Sequence, residues 1–107
     1  MATAQDPKLA RFVQSQLPLL RERLAPLTAV AFGSRVRGDA LTTSDLDLIL
    51  VSPWFEDVPF LKRPVSVLEM LDYPPGLELL CYTPAEFELK REEFGIVRVA
   101  LAEGITL

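Results

Sequence analysis

The chain has 107 residues, with 11 lysines and arginines against 15 aspartates and glutamates, and it contains no histidine. The net charge of -4 argues against a protein that binds nucleic acid through general charge attraction. With no histidine and Cys81 as the single cysteine, cysteine–histidine zinc sites, serine–histidine–aspartate triads and internal disulfides are excluded. Any metal must be held by oxygen, which favours a hard cation such as Mg²⁺.

The length predicts a single domain over residues 1–107, large enough to bury a core. No apolar run approaches the ~20 residues that cross a bilayer, so no membrane segment is expected. The first residues, MATAQDPK, lack the basic start and apolar centre of a signal peptide, and we expect a cytoplasmic protein. Half of the residues are hydrophobic, which predicts that some apolar surface meets a partner.

Apolar periodicity and turn residues predict the elements in chain order. They are a helical region over 7–24, a strand over 27–32, a helical turn over 34–37, a polar loop over 42–44, a strand over 44–52, a loop over 53–57, a helix over 59–72, a strand over 77–82, helices over 84–93 and 96–102, and an edge strand over 105–107. Pro18 predicts a kink in the first helix or its division into two. Thr83-Pro84-Ala85-Glu86 combines a capping box with proline at the first helical position. This order predicts an α+β sandwich in which helices pack on a small sheet.

The second predicted strand begins with two acids. Because side chains alternate along a strand, Asp45 and Asp47 share one face, and the other face is apolar. Glu78 stands at the start of the third strand in a similar way. If the two strands are neighbours, Glu78 joins the two aspartates on one patch.

Three carboxylates on one sheet face repel one another, and each raises the pKa of the others. A bound divalent cation removes this cost, and two hard cations bridged by carboxylates support phosphoryl chemistry. The alternative is that the acids form only a solvated strand edge without a ligand.

Gly33-Ser34 closes an apolar strand and opens a helical turn. Backbone N–H groups and a serine hydroxyl at such a place can bind an anion, and glycine lets a phosphate approach the backbone. Arg35 and Arg37 follow and can contact phosphate oxygens. The alternative is a simple turn that Ser34 caps, with two solvated arginines. A phosphate site beside metal-binding carboxylates is what nucleotide phosphoryl transfer requires.

The stretch GSRVRGDALTTSDLDLILVS, residues 33–52, resembles the signature of the DNA polymerase beta-like nucleotidyltransferase superfamily, and in its full form the minimal nucleotidyltransferases of bacteria and archaea. Six residues fall on motif positions: Gly33, Ser34, Gly38, Ser44, Asp45 and Asp47. LELLCYTPAEFE, residues 77–88, resembles the segment with the family's third carboxylate. The matching residue here is Glu78, where the family usually has aspartate.

The resemblance implies a mixed sheet with helices on one side. It also implies transfer of a nucleoside monophosphate from an NTP, with ATP the expected donor, to an acceptor hydroxyl, with release of pyrophosphate. Gly33 and Ser34 would hold the triphosphate, and Asp45, Asp47 and Glu78 would bind two Mg²⁺ ions. The remaining expected nucleotide-binding residues are Arg35, Arg37 and Ser44.

The resemblance also implies a separately encoded helical partner of the HEPN type, with this chain as the antitoxin of a toxin–antitoxin pair. Some such antitoxins adenylylate a tyrosine of the toxin. Trp54, Phe55 and Phe60 are interface candidates, because aromatic residues are enriched at interfaces. The alternative is that they cover the core over a loop. The alternative function is a catalytically weak or inactive module that neutralises a helical partner by binding it. A homo-oligomer or hetero-oligomer is compatible with both.

Overall fold

The computed structural model describes residues 6–107. The signal-peptide prediction concerns the first residues, most of which lie outside this range. The elements are α1 (Pro7–Arg11), a π-helical turn (Phe12–Gln16), α2 (Leu17–Leu24), β1 (Thr28–Phe32), α3 (Ser34–Arg37), β2 (Leu46–Val51), two 3-10 helices (Pro53–Asp57 and Phe60–Lys62), α4 (Arg63–Met70), β3 (Leu77–Tyr82), α5 (Pro84–Glu92), α6 (Ile96–Glu103) and β4 (Ile105–Thr106). Within this range, no helix combines the length and apolar character that crossing a membrane requires.

The four strands form one mixed sheet in the order β3-β2-β1-β4. β1 pairs antiparallel with β2 and β4, whereas β2 and β3 are parallel. The end of β1 and the starts of β2 and β3 therefore lie at the same edge of the sheet. Asp47 is the register partner of both Phe32 and Glu78. The second and third strands are thus neighbours, which is the condition under which Glu78 was predicted to lie beside the aspartates.

Both faces of the sheet are covered by helices. The face with Leu46, Leu48 and Leu50 packs against α1, α2 and α4, and its core residues are almost fully buried. The face with Ile49 and Val51 packs against α5 and α6. The predicted α+β class and mixed sheet are confirmed. Helices are not confined to one side, however, because α5 and α6 cover apolar side chains that the second face also carries.

The N-terminal helical region is interrupted but not broken. Asp6 caps α1, since its Oδ2 accepts a hydrogen bond from the backbone N–H of Leu9 at 2.9 Å. Pro18 lies in the first turn of α2, directly after the π-helical turn over Phe12–Gln16. Proline has no N–H to donate and crowds the preceding turn, so a wider turn accommodates it.

Two sequence predictions around β2 are corrected. The strand begins at Leu46, so Asp45 precedes it instead of belonging to it. Residues 53–57 form a 3-10 helix and not a loop, because the hydroxyl of Ser52 accepts the N–H of Trp54 at 3.1 Å and caps the turn. Phe55 is fully buried in the core, which removes it from the interface candidates, whereas Trp54 and Phe60 are exposed.

The start of α5 carries the predicted capping box between Thr83 and Glu86. Glu86 also accepts two hydrogen bonds from Arg63, at 2.6 and 3.2 Å. Arg63 is only 4% exposed and donates further to the carbonyls of Val58 and Cys81. This ion pair ties α4 to α5 across the end of β3, and the sequence pattern did not predict it.

Candidate active site

Part of the predicted site lies at the sheet edge where β1 ends and β2 and β3 begin. The Gly33-Ser34 turn follows β1, Asp47 is the second residue of β2, and Glu78 is the second residue of β3. The antiparallel β1–β2 pair and the parallel β2–β3 pair bring these three segments side by side. The topology therefore explains why residues far apart in sequence meet here.

Asp47 and Glu78 form a carboxylate pair. Burial raises the pKa of Asp47 above its ordinary value, and the charge of Glu78 and a hydrogen bond between the two side chains raise it further. Asp45 adds a smaller effect in the same direction, whereas Arg37 lowers the pKa of Asp47. A cation bound between the two side chains would offset this concentration of negative charge.

Asp45 does not join this pair. Its side chain is exposed and lies near Gly76, where a Cβ would stand 3.8 Å from Oδ1 of Asp45. Among residues 6–107, no three acidic side chains are grouped closely enough to hold one metal ion. The structure thus brings together two of the three predicted acids, and Asp45 contributes charge from a short distance.

The donor chemistry nevertheless fits a hard divalent cation. Asp47 and Glu78 offer only oxygen atoms, which Mg²⁺ prefers. The raised pKa of Asp47 marks an excess of negative charge that a cation would compensate. These residues would hold the ion, with Asp45 as the nearest further carboxylate.

Gly33 is fixed by its contact with Asp47. Its backbone has φ 82° and ψ -160°, a conformation that is essentially restricted to glycine. A Cβ at position 33 would also overlap Oδ2 of Asp47. The carbonyl of Gly33 accepts hydrogen bonds from Val36 and Arg37, both at 3.0 Å, and so opens the single turn of α3. Ser34, partly exposed, lies directly beside this contact.

Arg35 has a different role from the predicted one. Arg35 is only 8% exposed. Its guanidinium donates hydrogen bonds to the carbonyls of Leu41, Thr42 and Ser44. It also forms an ion pair with Asp6 at 3.2 Å. Arg35 therefore holds the loop that leads to Asp45 in place. Because these partners occupy its hydrogen-bond donors, Arg35 is not free to bind a phosphate.

Arg37 remains available to a ligand. It is exposed and pairs with Asp39 at 3.4 Å and Glu103 at 3.1 Å, and such surface pairs exchange at little cost. Ser44 instead serves the loop: its Oγ accepts the N–H of Leu41 at 2.9 Å. Of the predicted nucleotide-binding residues, Gly33 contacts Asp47, Ser34 follows it in the chain, and Arg37 is near enough to lower the pKa of Asp47.

A cavity of about 400 Å³ opens beside this pair. Asp47 and Glu78 form its polar end, and the remaining wall is apolar. The apolar lining residues are Phe32, Leu80 and Ile96. An apolar cavity with two acids at one end can orient a small ligand by its polar group. No sequence pattern predicts Ile96 at the site, because α6 reaches it only through tertiary packing.

A mixed sheet with a Gly-Ser turn and strand acids at one edge is the arrangement of a nucleotidyltransferase domain. Residues 9–103 match the family model described as the nucleotidyltransferase domain. Because the match spans most of the chain, the chain belongs to the nucleotidyltransferase domain family, and this supports nucleotidyl transfer as its general chemistry. No curated protein matches the chain significantly.

The fold is also found in a solved structure. A crystal structure of a protein from Sulfolobus solfataricus, provisionally described as a nucleotidyltransferase, superposes with a TM-score of 0.57. The match covers 98% of this chain and 81% of that one, at 20% sequence identity. At this identity the likeness establishes the shared fold.

Proposed function

We propose that the chain transfers a nucleoside monophosphate, with ATP as the donor, to an acceptor hydroxyl and releases pyrophosphate. The observation that carries the proposal is the Asp47–Glu78 pair held against the Gly33-Ser34 turn at one sheet edge. A Gly-Ser turn that opens a helix beside paired carboxylates is a combination that nucleotide phosphoryl transfer can use.

Each residue has a role in this proposal. Asp47 and Glu78 would hold Mg²⁺, and Asp45 would add negative charge that strengthens cation binding. When bound, Mg²⁺ supplies charge neutralisation at the phosphates and activation of the acceptor oxygen. Gly33 gives the turn a conformation that fits against Asp47, and the hydroxyl of Ser34 donates a hydrogen bond to the phosphate. Arg37 can leave its surface partners and pair with phosphate oxygens.

For the acceptor, we propose a hydroxyl on a helical partner protein of the HEPN type, with this chain as the antitoxin. Large apolar side chains on the surface support an interaction with a protein. Phe94 is 93% and Leu61 is 85% exposed, and Trp54 and Phe60 are also accessible. The net charge of -4 makes a bulk nucleic acid a poor alternative.

A second function is favoured by one observation, the separation of Asp45 from the Asp47–Glu78 pair. With Glu78 in place of the family's usual aspartate, the site would bind Mg²⁺ weakly. The chain would then act as a binding module that neutralises its helical partner by association.

Label transfer from α-labelled ATP with Mg²⁺, in lysate of the native source, tests both functions. Asp47→Asn removes one carboxylate charge at the site, and Asp57→Asn is the matched control on an exposed 3-10 helix. Label with the wild type and Asp57→Asn but not with Asp47→Asn supports the transferase. If no protein gives label while all three capture the same partner, the transferase is refuted and the binding module is supported.

A further inference from the structure

A second cleft, of about 550 Å³, lies between the N-terminal helix and the turn that precedes β3. Lys8 and Arg11 of α1 line one wall, and Pro74 and Pro75 of the turn line the other. It is separate from the cavity beside Asp47, with which it shares no lining residue. Neither the family match nor the site described above assigns it a ligand.

The residues that line the cleft include three cations, Lys8, Arg11 and Arg35, and no acid. Within residues 6–107, neither Lys8 nor Arg11 forms an ion pair or a side-chain hydrogen bond. The third cation of the wall, Arg35, is paired with Asp6 at 3.2 Å. Two cations on one concave wall that have no direct partner among residues 6–107 attract an anionic group.

The backbone of the wall is unusual as well. Ser15 and Gln16, which also line the cleft, belong to the π-helical turn over Phe12–Gln16. Single π-helical turns occur frequently at functional sites, where they redirect side chains. Here the turn adds a hydroxyl and an amide to the cleft, and both can donate hydrogen bonds to an anion.

At Gly76 the cleft comes close to Asp45, the carboxylate that precedes β2. A Cβ at position 76 would overlap the ammonium group of Lys8 and would lie 3.8 Å from Oδ1 of Asp45. Gly76 also accepts the N–H of Leu46, at 2.8 Å, which fixes it beside the start of β2. The cleft thus flanks β2 on the β3 side, whereas the Gly33-Ser34 turn flanks it on the β1 side.

We propose that this cleft binds an anionic group, a carboxylate or a phosphate, that the acceptor carries close to its reacting hydroxyl. The NTP and the acceptor would then approach the carboxylate pair from opposite sides of β2. Lys8 and Arg11 are the recognition residues, and the apolar Pro74 and Pro75 contact the uncharged part of the acceptor. The assignment to the acceptor rests on the proposed function, whereas the anion binding itself does not.

Anion binding is tested on the full chain by NMR titration of backbone amides with inorganic phosphate and, separately, with acetate, in the absence of divalent cations. We expect saturable shifts at Ser15, Gln16 and Leu77 with at least one of the two anions, and the anion that gives them identifies the chemistry. The Lys8→Gln/Arg11→Gln double variant should lose about tenfold or more in affinity, because charge-assisted hydrogen bonds are removed.

Arg23→Gln is the control, because Arg23 is an exposed arginine of α2 that does not line the cleft. It should keep the wild-type affinity. The Lys8→Gln and Arg11→Gln single variants should each weaken binding, which keeps the test decisive if the double variant is unfolded. No saturable shift at these amides, or equal affinity in wild type and folded variants, would overturn the site.

Label transfer separates this proposal from the proposed function. If the wild type transfers label and the double variant binds ATP normally but labels its acceptor at least tenfold less, the acceptor assignment stands. Equal labelling by both proteins overturns it. If the wild type gives no label but binds the anion, and Asp47→Asn binds it equally, the proposed transferase fails while the anion site remains.

Discussion

Gly33 and Asp47 approach so closely that Oδ2 of Asp47 occupies the space that a Cβ at position 33 would need. The contact joins the end of β1 to the start of β2 at their register pair, Phe32 and Asp47. The Gly-Ser turn and the carboxylate are therefore parts of one packed unit, and changing one must move the other.

Gly33→Ala tests this unit. The backbone strain alone should lower the free energy of unfolding by about 1–3 kcal/mol. The displaced Asp47 carboxylate should in addition abolish nucleotidyl transfer. Urea denaturation and label transfer from α-labelled ATP measure the two effects.

Gly38→Ala is the matched control for that substitution. Gly38 also has a positive φ, of 90°, but a Cβ there would meet nothing within 4 Å. It should lose about 1–2 kcal/mol of stability from the left-handed backbone alone, with transfer retained. Equal activity of the two variants would show that the contact with Asp47 does not position the site.

Arg35 gives the second prediction, because its buried guanidinium holds both Asp6 and the loop before Asp45. Arg35→Met should destabilise the fold by about 3–5 kcal/mol, since it leaves a partly buried carboxylate and several carbonyls unpaired. Arg37→Met, at an exposed position, should change stability by at most ~1 kcal/mol. Thermal and urea unfolding of both variants decide the matter; a small loss for Arg35→Met would contradict its anchoring role.

The contrast between the two arginines shows where sequence reasoning succeeds and where it fails. Strand alternation, a local rule that holds within β2 and β3, predicted which faces Asp47 and Glu78 occupy. Their pairing depended in addition on the two strands being neighbours, which the parallel β2–β3 register shows. The role of the Arg35 side chain depends on Asp6, which lies 29 residues away in the sequence. The position of Asp6 is set only when α1 packs against the sheet.

Asp45 shows the same limit of sequence reasoning for a residue next to the strand itself. The alternation argument placed it beside Asp47, but the rule applies only inside a strand, and β2 begins one residue later. The loop held by Arg35 sets the direction of Asp45 instead. Lys8 and Arg11 were missed because the sequence shows them only as polar residues of an amphipathic helix, and the cleft exists only after α1 has packed near the Pro74-Pro75 turn.

The third prediction concerns acid stability and the Arg63–Glu86 ion pair. The hydrogen bonds from Arg63 are the main cause that lowers the pKa of Glu86 below its ordinary value of 4.5. The ionised Glu86 therefore stabilises the fold fully above that value, and the contribution is lost as the pH falls through the lower pKa of the folded state.

Glu86→Gln keeps the capping box and removes the charge, so it should lower stability at neutral pH and should flatten the loss of stability on acidification. Glu88→Gln, an exposed neighbour on α5, is the control and should follow the wild-type pH profile. Urea midpoints measured from neutral pH down to below 4.5 test the prediction; parallel acid profiles for wild type and Glu86→Gln would contradict it.

The last prediction concerns Asp47, whose pKa is shifted upward, opposite to the shift of Glu86. Burial and the charge of Glu78 raise the pKa of Asp47, so its ionisation destabilises the fold, and stability falls as the pH rises through the raised value. Without divalent cations, Asp47→Asn should be more stable than the wild type at neutral pH, and the difference should vanish in acid.

Mg²⁺ should reverse the order, because a ligand at 100 times its Kd adds about 2.7 kcal/mol to the protein that binds it. Thermal unfolding with EDTA and with Mg²⁺ at two pH values measures all four states. If Mg²⁺ stabilised both proteins equally, Asp47 would not be a ligand, and the proposed cation site would have to be abandoned.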